Sequence, residues 1–145
     1  MDASFVGRAF PLAEPYLVGA EKIREFADAI GEPSPLCHDR QAARAAGHPD
    51  LVAPPTFAIA AIARAQDAVL FRPDLQLDFS RVVHRDQRFV HHRPIHAGDQ
   101  LRATVHIDTI KVLAGNDVIG LRTEVVDGAG EPVVTCHSTL VSRAA

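Results

Sequence analysis

Three side chains able to give or take a proton fall close together in this chain: Glu32, Cys37 and His38, in the run Ala29-Ile-Gly-Glu-Pro-Ser-Pro-Leu-Cys-His-Asp39. A carboxylate and an imidazole working on one water molecule suit acid–base addition or removal of water, provided each comes within roughly 3 Å of the proton it moves. Glu32 reads either as such a base or as a solvated charge just past a helix end. His38 reads either as the imidazole or as a loop histidine beside the N-cap of the next helix. A nucleophilic Cys37 would need an electropositive neighbour to hold its thiolate, and chemistry on water needs no thiol, so it reads as small buried filler.

A second group, His84, His91, His92 and His96, lacks zinc-type spacing. Adjacent residues of a strand face opposite sides, so His91 and His92 cannot share an ion within one. The group is assigned no metal; it reads as a polar sheet face or as a rim beside a ligand. His84, Arg85 and Arg88 make a basic patch that suits the phosphates of a carrier, or simply pairs with Asp86.

The elements that must position these groups follow from periodicity. Ile23, Phe26, Ala27 and Ile30 recur at three- and four-residue spacing, which predicts a helix over Ala20 to Ile30 ended by Gly31. Asp39 caps a short helix over Arg40 to Ala46, closed by Gly47. Thr56 to Leu70 is apolar nearly all round and predicts a buried helix. Ser4 to Phe10 is a short strand candidate. Leu101 to Ile107 alternates strictly, Val118 to Val126 puts Ile119, Leu121, Thr123 and Val125 on one face, and Pro132 to Ser142 is rich in Val and Thr. Turns at Gly115-Asn116 and over Asp127 to Gly130 separate these strands. Early helices, one of them buried, followed by an antiparallel meander predict an α+β domain over residues 1–145, a sheet wrapped around a central helix in the hot-dog arrangement.

Bulk properties narrow the partners. Fifteen basic and eighteen acidic residues are interspersed for a net charge of −3, which argues against nucleic acid. The longest apolar run, Phe57 to Ala63, falls far short of the ~20 residues that span a bilayer. Two cysteines without a C-x-x-C, and no basic-then-apolar leader, predict a cytoplasmic protein. Long strands with open edges predict a dimer.

In order and spacing, several segments resemble the MaoC-like hydratase/dehydratase family. They are Gly7-Arg8, Ala29 to Leu36, Ala42 to Gly47, Ala53-Pro-Pro-Thr-Phe57, His84-Arg-Asp-Gln-Arg-Phe89 and His92-Arg-Pro-Ile-His-Ala-Gly-Asp99. The likeness is to small proteins related to the family's N-terminal dehydratase domain, among them non-catalytic subunits of heterodimeric (3R)-hydroxyacyl-ACP dehydratases of fatty-acid elongation. The resemblance implies an acyl-CoA or acyl-ACP ligand, a tail tunnel beside the central helix and a site at a dimer interface. It makes Cys37, Pro55, Thr56, Phe57, Ala60, Ala63, His84 and Arg88 the ligand-binding candidates and calls for no cofactor. Active members carry Gly-Asp-x-Asn-Pro-Leu-His in the loop and a glycine N–H on the thioester oxygen. Here those positions hold Glu32, Ser34, Cys37 and Pro55, His38 comes one residue late, and proline has no N–H. The implied role is an acyl-thioester-binding, non-catalytic subunit, in a homodimer or beside a second hot-dog chain carrying the intact loop. The alternatives are a homodimeric (R)-specific enoyl hydratase using Glu32 and His38, a hot-dog thioesterase, and an acyl-binding module without chemistry.

Overall fold

In a computed structural model, which describes residues 1–144, strands of long reach close over one helix. In chain order the elements are β1 (Ala9–Pro11), β2 (Tyr16–Leu17), α1 (Ala20–Ile30), α2 (Arg40–Ala45), α3 (Ala58–Leu70), β3 (Val82–His91), β4 (Gln100–Leu113), β5 (Asn116–Val126) and β6 (Pro132–Ser142). The sheet runs β1-β4-β5-β6-β3, β2 also pairs with β4, and all pairings are antiparallel. This is the expected hot-dog arrangement. No helix of the described residues is long and apolar enough to cross a membrane.

The inner face of the sheet follows the predicted alternation. Leu101, Ala103, Val105 and Ile107 of β4 and Ile119, Leu121, Thr123 and Val125 of β5 are buried, as are Val134, Cys136, Ser138 and Leu140 of β6. Against this face α3 lays one stripe: Ala58, Ala61, Ile62, Ala65, Gln66, Val69 and Leu70. Their three- and one-residue steps are those of a single helix face. The buried amide of Gln66 donates to Thr123 Oγ1 at 3.2 Å and to Ser138 Oγ at 2.9 Å.

The structure corrects several expectations. Ser4 to Phe10 is not one strand: Ala3–Phe5 is a 3-10 turn capped by Asp2, and Gly7, at φ 85°, turns the chain before β1. Pro55–Phe57 is likewise a 3-10 turn, so α3 starts at Ala58. Nor is α3 buried all round, because Ala63, Arg64, Asp67 and Ala68 are exposed. Alanine counts as apolar in a pattern but loses little by facing water. β4 runs well past Ile107, where a bulge before Thr109 shifts the register and ends the strict alternation.

Ile62, with no exposed surface, packs at the centre of this stripe. Ile62→Ala should therefore lower the unfolding free energy by about 2–5 kcal/mol. Ala63→Gln, on the exposed face, should change it by no more than about 0.5 kcal/mol. Urea unfolding followed by circular dichroism measures both.

Candidate functional site

The loop after α1 is fixed by its own backbone. Gly31, at φ 70°, caps α1 by giving its N–H to the Ala27 and Asp28 carbonyls, and the Glu32 N–H reaches Ala27 O at 2.8 Å. The Glu32 carboxylate then accepts the Ser34 N–H at 2.9 Å, and Ser34 caps the 3-10 turn Pro35–Cys37. His38 turns back toward α1: its Nε2 donates to the Glu32 carbonyl at 2.9 Å, and its Nδ1 lies 3.8 Å from the Asp28 carboxylate. A carbonyl has no hydrogen to give, so this contact sets the tautomer of a neutral ring.

Two segments far apart in sequence form the facing wall. Val52 gives its N–H to Leu36 O at 2.9 Å, Ala53 to Ile95 O at 2.8 Å, and Ala97 to Leu51 O at 3.0 Å. Behind this wall His48 Nδ1 and His96 Nε2 share a hydrogen bond of 3.0 Å, one ring donating and the other accepting. Asp99 holds the corner, taking the His96 N–H and both terminal nitrogens of Arg93. The end of β3 completes the enclosure, where His91 Nε2 donates to the Pro55 carbonyl at 2.8 Å and His92 Nε2 meets Thr135 Oγ1 at 3.0 Å.

Between these walls lies a largely apolar cavity of about 550 Å³ whose polar edges include Glu32, Cys37, His91 and His92. Burial, reinforced by the nearby Glu32 charge, pushes the Cys37 thiol up from its ordinary value, so it stays protonated and a poor nucleophile. Pro54, Pro55 and Pro94 line the cavity and offer no N–H, while Arg93 is committed to Asp99 and Asp127. The arrangement suits an apolar chain ending in a group that can meet a carboxylate and imidazoles. It supplies no backbone donor at Pro55.

Of the residues given an individual role from the sequence, the structure brings Glu32, Cys37 and Pro55 to this cavity and leaves the others outside it. His38 faces α1. Thr56 is exposed, and Phe57 is wholly buried edge-on against Phe26, with ring centres 5.4 Å apart. Ala60 is half-buried and Ala63 exposed; neither lines the cavity. His84 bonds its own strand at the Asp86 carbonyl, and Arg88 is exposed on β3. The sequence reading gave no individual role to His91 and His92, which line the cavity; the rim reading of the histidine group was their signal. His84 and His96 lie outside.

The family model for the FAS1-like dehydratase domain region matches residues 4–136. A UPF0336 protein of Saccharopolyspora erythraea is 56% identical over 143 residues, covering 99% of this chain and 92% of its own. Another, from Streptomyces avermitilis, is 54% identical over 145 residues, covering 100% and 97%. Among solved structures, a MaoC-like dehydratase superposes with a TM-score of 0.88 at 36% identity, covering 98% of this chain and 43% of that one. The chain thus spans less than half of that protein. The C-terminally truncated HadBC (3R-hydroxyacyl-ACP dehydratase) complex from Mycobacterium tuberculosis superposes with a TM-score of 0.85 at 32% identity, covering 97% and 98%.

Burial lowers the His96 imidazole from its ordinary value, with the His48 and Arg93 charges acting the same way against Asp99 and Asp50. Its neutral form is therefore favoured by folding. The unfolded chain takes up a proton near the ordinary value of about 6.5, which the folded chain resists, so stability should fall as pH drops below that point. His96→Gln removes this proton uptake. Urea midpoints at neutral and mildly acidic pH should drop less in the variant than in the parent chain.

Proposed function

We propose that this chain, which belongs to the FAS1-like dehydratase region family, is an acyl-thioester-binding subunit of a (3R)-hydroxyacyl-thioester dehydratase of fatty-acid metabolism. It does not catalyse by itself, and it works in the cytoplasm beside a second hot-dog chain that supplies the Asp and His. The observation that carries this reading is His38: the loop's only imidazole is spent on the Glu32 carbonyl and the Asp28 carboxylate, away from the cavity. Lost acid–base help removes roughly 10²–10⁴ in rate. A missing oxyanion donor, here at Pro55, costs a further few kcal/mol of transition-state stabilisation. Binding survives both losses, since the cavity keeps its apolar walls. Holding a substrate for another group's attack is itself worth several kcal/mol.

A second reading rests on Glu32, whose carboxylate does line the cavity together with His91 and His92. On that reading the chain hydrates enoyl thioesters unaided, with an imidazole from the end of β3 in place of His38.

One set of measurements separates the two. The purified chain should bind hexanoyl-CoA by calorimetry and leave crotonyl-CoA unhydrated at the level of the buffer blank. Val52→Phe, at the cavity wall, should weaken binding at least tenfold, whereas Ala63→Phe should leave it unchanged. Hydration by the chain alone that disappears in Glu32→Gln would overturn the non-catalytic role in favour of the second reading.

A further inference from the structure

A groove of about 230 Å³ lies between β1 and the C-terminal half of α3, and it shares no residue with the Glu32 cavity at the helix's other end. Ala65, Ala68 and Val69 line its helix side, and Ala9 and Pro11 line its strand side. Leu12 gives its N–H to Ala103 O at 2.9 Å, and Phe10 lies opposite Val105 in the same ladder. By antiparallel alternation Ala9 and Pro11 therefore turn their backbone groups away from β4, to an edge that pairs with no strand among the described residues. The groove is thus apolar along the helix and polar along the strand.

Arg72 lines the same groove and belongs to a cationic cluster. The rings of Phe5 and Phe10 stack with centres 6.1 Å apart. The Arg8 guanidinium lies 4.1 and 5.3 Å from these two centres, and that of Arg72 lies 5.8 and 5.5 Å from them. An aromatic ring holds a guanidinium by its face, which leaves the N–H groups at the edge free to bond elsewhere. Arg72 spends two of its nitrogens on Asp74, at 3.0 and 2.7 Å. Arg8 has no ion pair among the described residues: Asp74, which feels its charge, is held by Arg72, and Asp2 is taken by the Ser4 N–H. Two like charges therefore share one pair of rings, an arrangement that a further anion would relieve.

We propose that this groove binds a small carboxylate with an apolar body, its charged end on Arg8 and Arg72 and its body along Ala65, Ala68 and Val69. A guanidinium edge matches the two oxygens of a carboxylate, and a mostly apolar wall with a few polar groups that fix orientation is the usual form of a small-molecule site. Size narrows the class. At roughly 30 Å³ for each water-sized group, the groove takes about seven or eight non-hydrogen atoms, those of an acid with about five or six carbons. The exposed backbone of Ala9 and Pro11 adds polar contacts beside the charged end. Nothing in this assignment depends on what the Glu32 cavity holds.

Titration of the full chain with 3-methylbutanoate, followed by amide NMR shifts, tests it. Binding should saturate in the millimolar range or below, with shifts centred on β1 and on α3 from Ala65 onward. Arg8→Gln should weaken it at least tenfold. So should Ala68→Leu, which fills the groove from an exposed position. The uncharged 3-methylbutanamide should bind at least tenfold more weakly than the acid, and inorganic phosphate at the same concentration should not displace the acid. Val52→Phe, in the other cavity, should leave the affinity unchanged, which separates this result from the acyl-binding reading. Circular dichroism reports whether each variant is folded. A parent chain that does not saturate, folded Arg8→Gln and Ala68→Leu chains that bind like the parent, an amide that binds as well as the acid, displacement by phosphate, or loss of binding in Val52→Phe would overturn the proposal.

Discussion

The stripe that α3 presses onto the inner face of the sheet is the contact on which the other features depend. Burying it takes apolar surface from water at roughly 25 cal/mol per Å², and it sets where both ends of the helix lie. At the N-terminal end, Pro54 and Pro55 must enter a 3-10 turn against the end of β3, which creates the cavity's back wall. The same contact seats Phe57 among Tyr16 and Phe26 and so anchors α1, whose C-terminal cap launches the Glu32 loop. The site is thus a consequence of how one helix is held, with the loops filling the remaining space.

Much of this frame was legible from pattern alone, because the inner strands are buried on one face and must alternate. β4 and β5 declare themselves through Leu101 to Ile107 and Ile119 to Val125, and α1 through its repeat and its glycine stop. β3 did not declare itself. As an edge strand it buries little, and a strand that faces water on most of its length has no apolar alternation to read. The loop was legible in composition but not in direction. Nothing in Cys37-His38-Asp39 says that the imidazole will turn back to a carbonyl six residues earlier. Likewise the His91–Pro55 bond joins residues 36 positions apart and exists only once β3 and α3 are packed. Local propensity places elements; the chemistry of this site is set by contacts between them.

The cavity's character follows from what its backbone lacks. Three prolines line it, and proline both stiffens the chain and removes a donor. A wall of this kind can shape an apolar ligand closely, and at these three positions it offers no main-chain amide to a negatively charged oxygen. The polar side chains at the rim include a carboxylate, which only accepts when ionised, a thiol held protonated, and imidazoles already tied to Pro55 and Thr135. Such a set is the one the proposed binding role calls for, and on that proposal the apolar walls and the altered loop belong together.

The buried polar line from Gln66 to Gln87 runs against the logic of the rest of the core. Four polar side chains, Gln66, Thr123, Ser138 and Gln87, meet where Leu or Val at each position would satisfy the alternation equally well. Hydrogen bonds among buried groups add only about 1 kcal/mol each, and an unmatched group costs more than a matched one gains. Stability alone therefore does not account for the line. What it supplies is geometric definition: Gln66 fixes the rotation of α3 about its axis, since a helix turned by one residue would carry the amide away from both hydroxyls. Ser138 then passes that orientation to the edge strand. The rotation of α3 also sets the approach of Pro55 to His91, so the polar line holds the cavity's shape from the far side of the helix, where an apolar core would permit small slips.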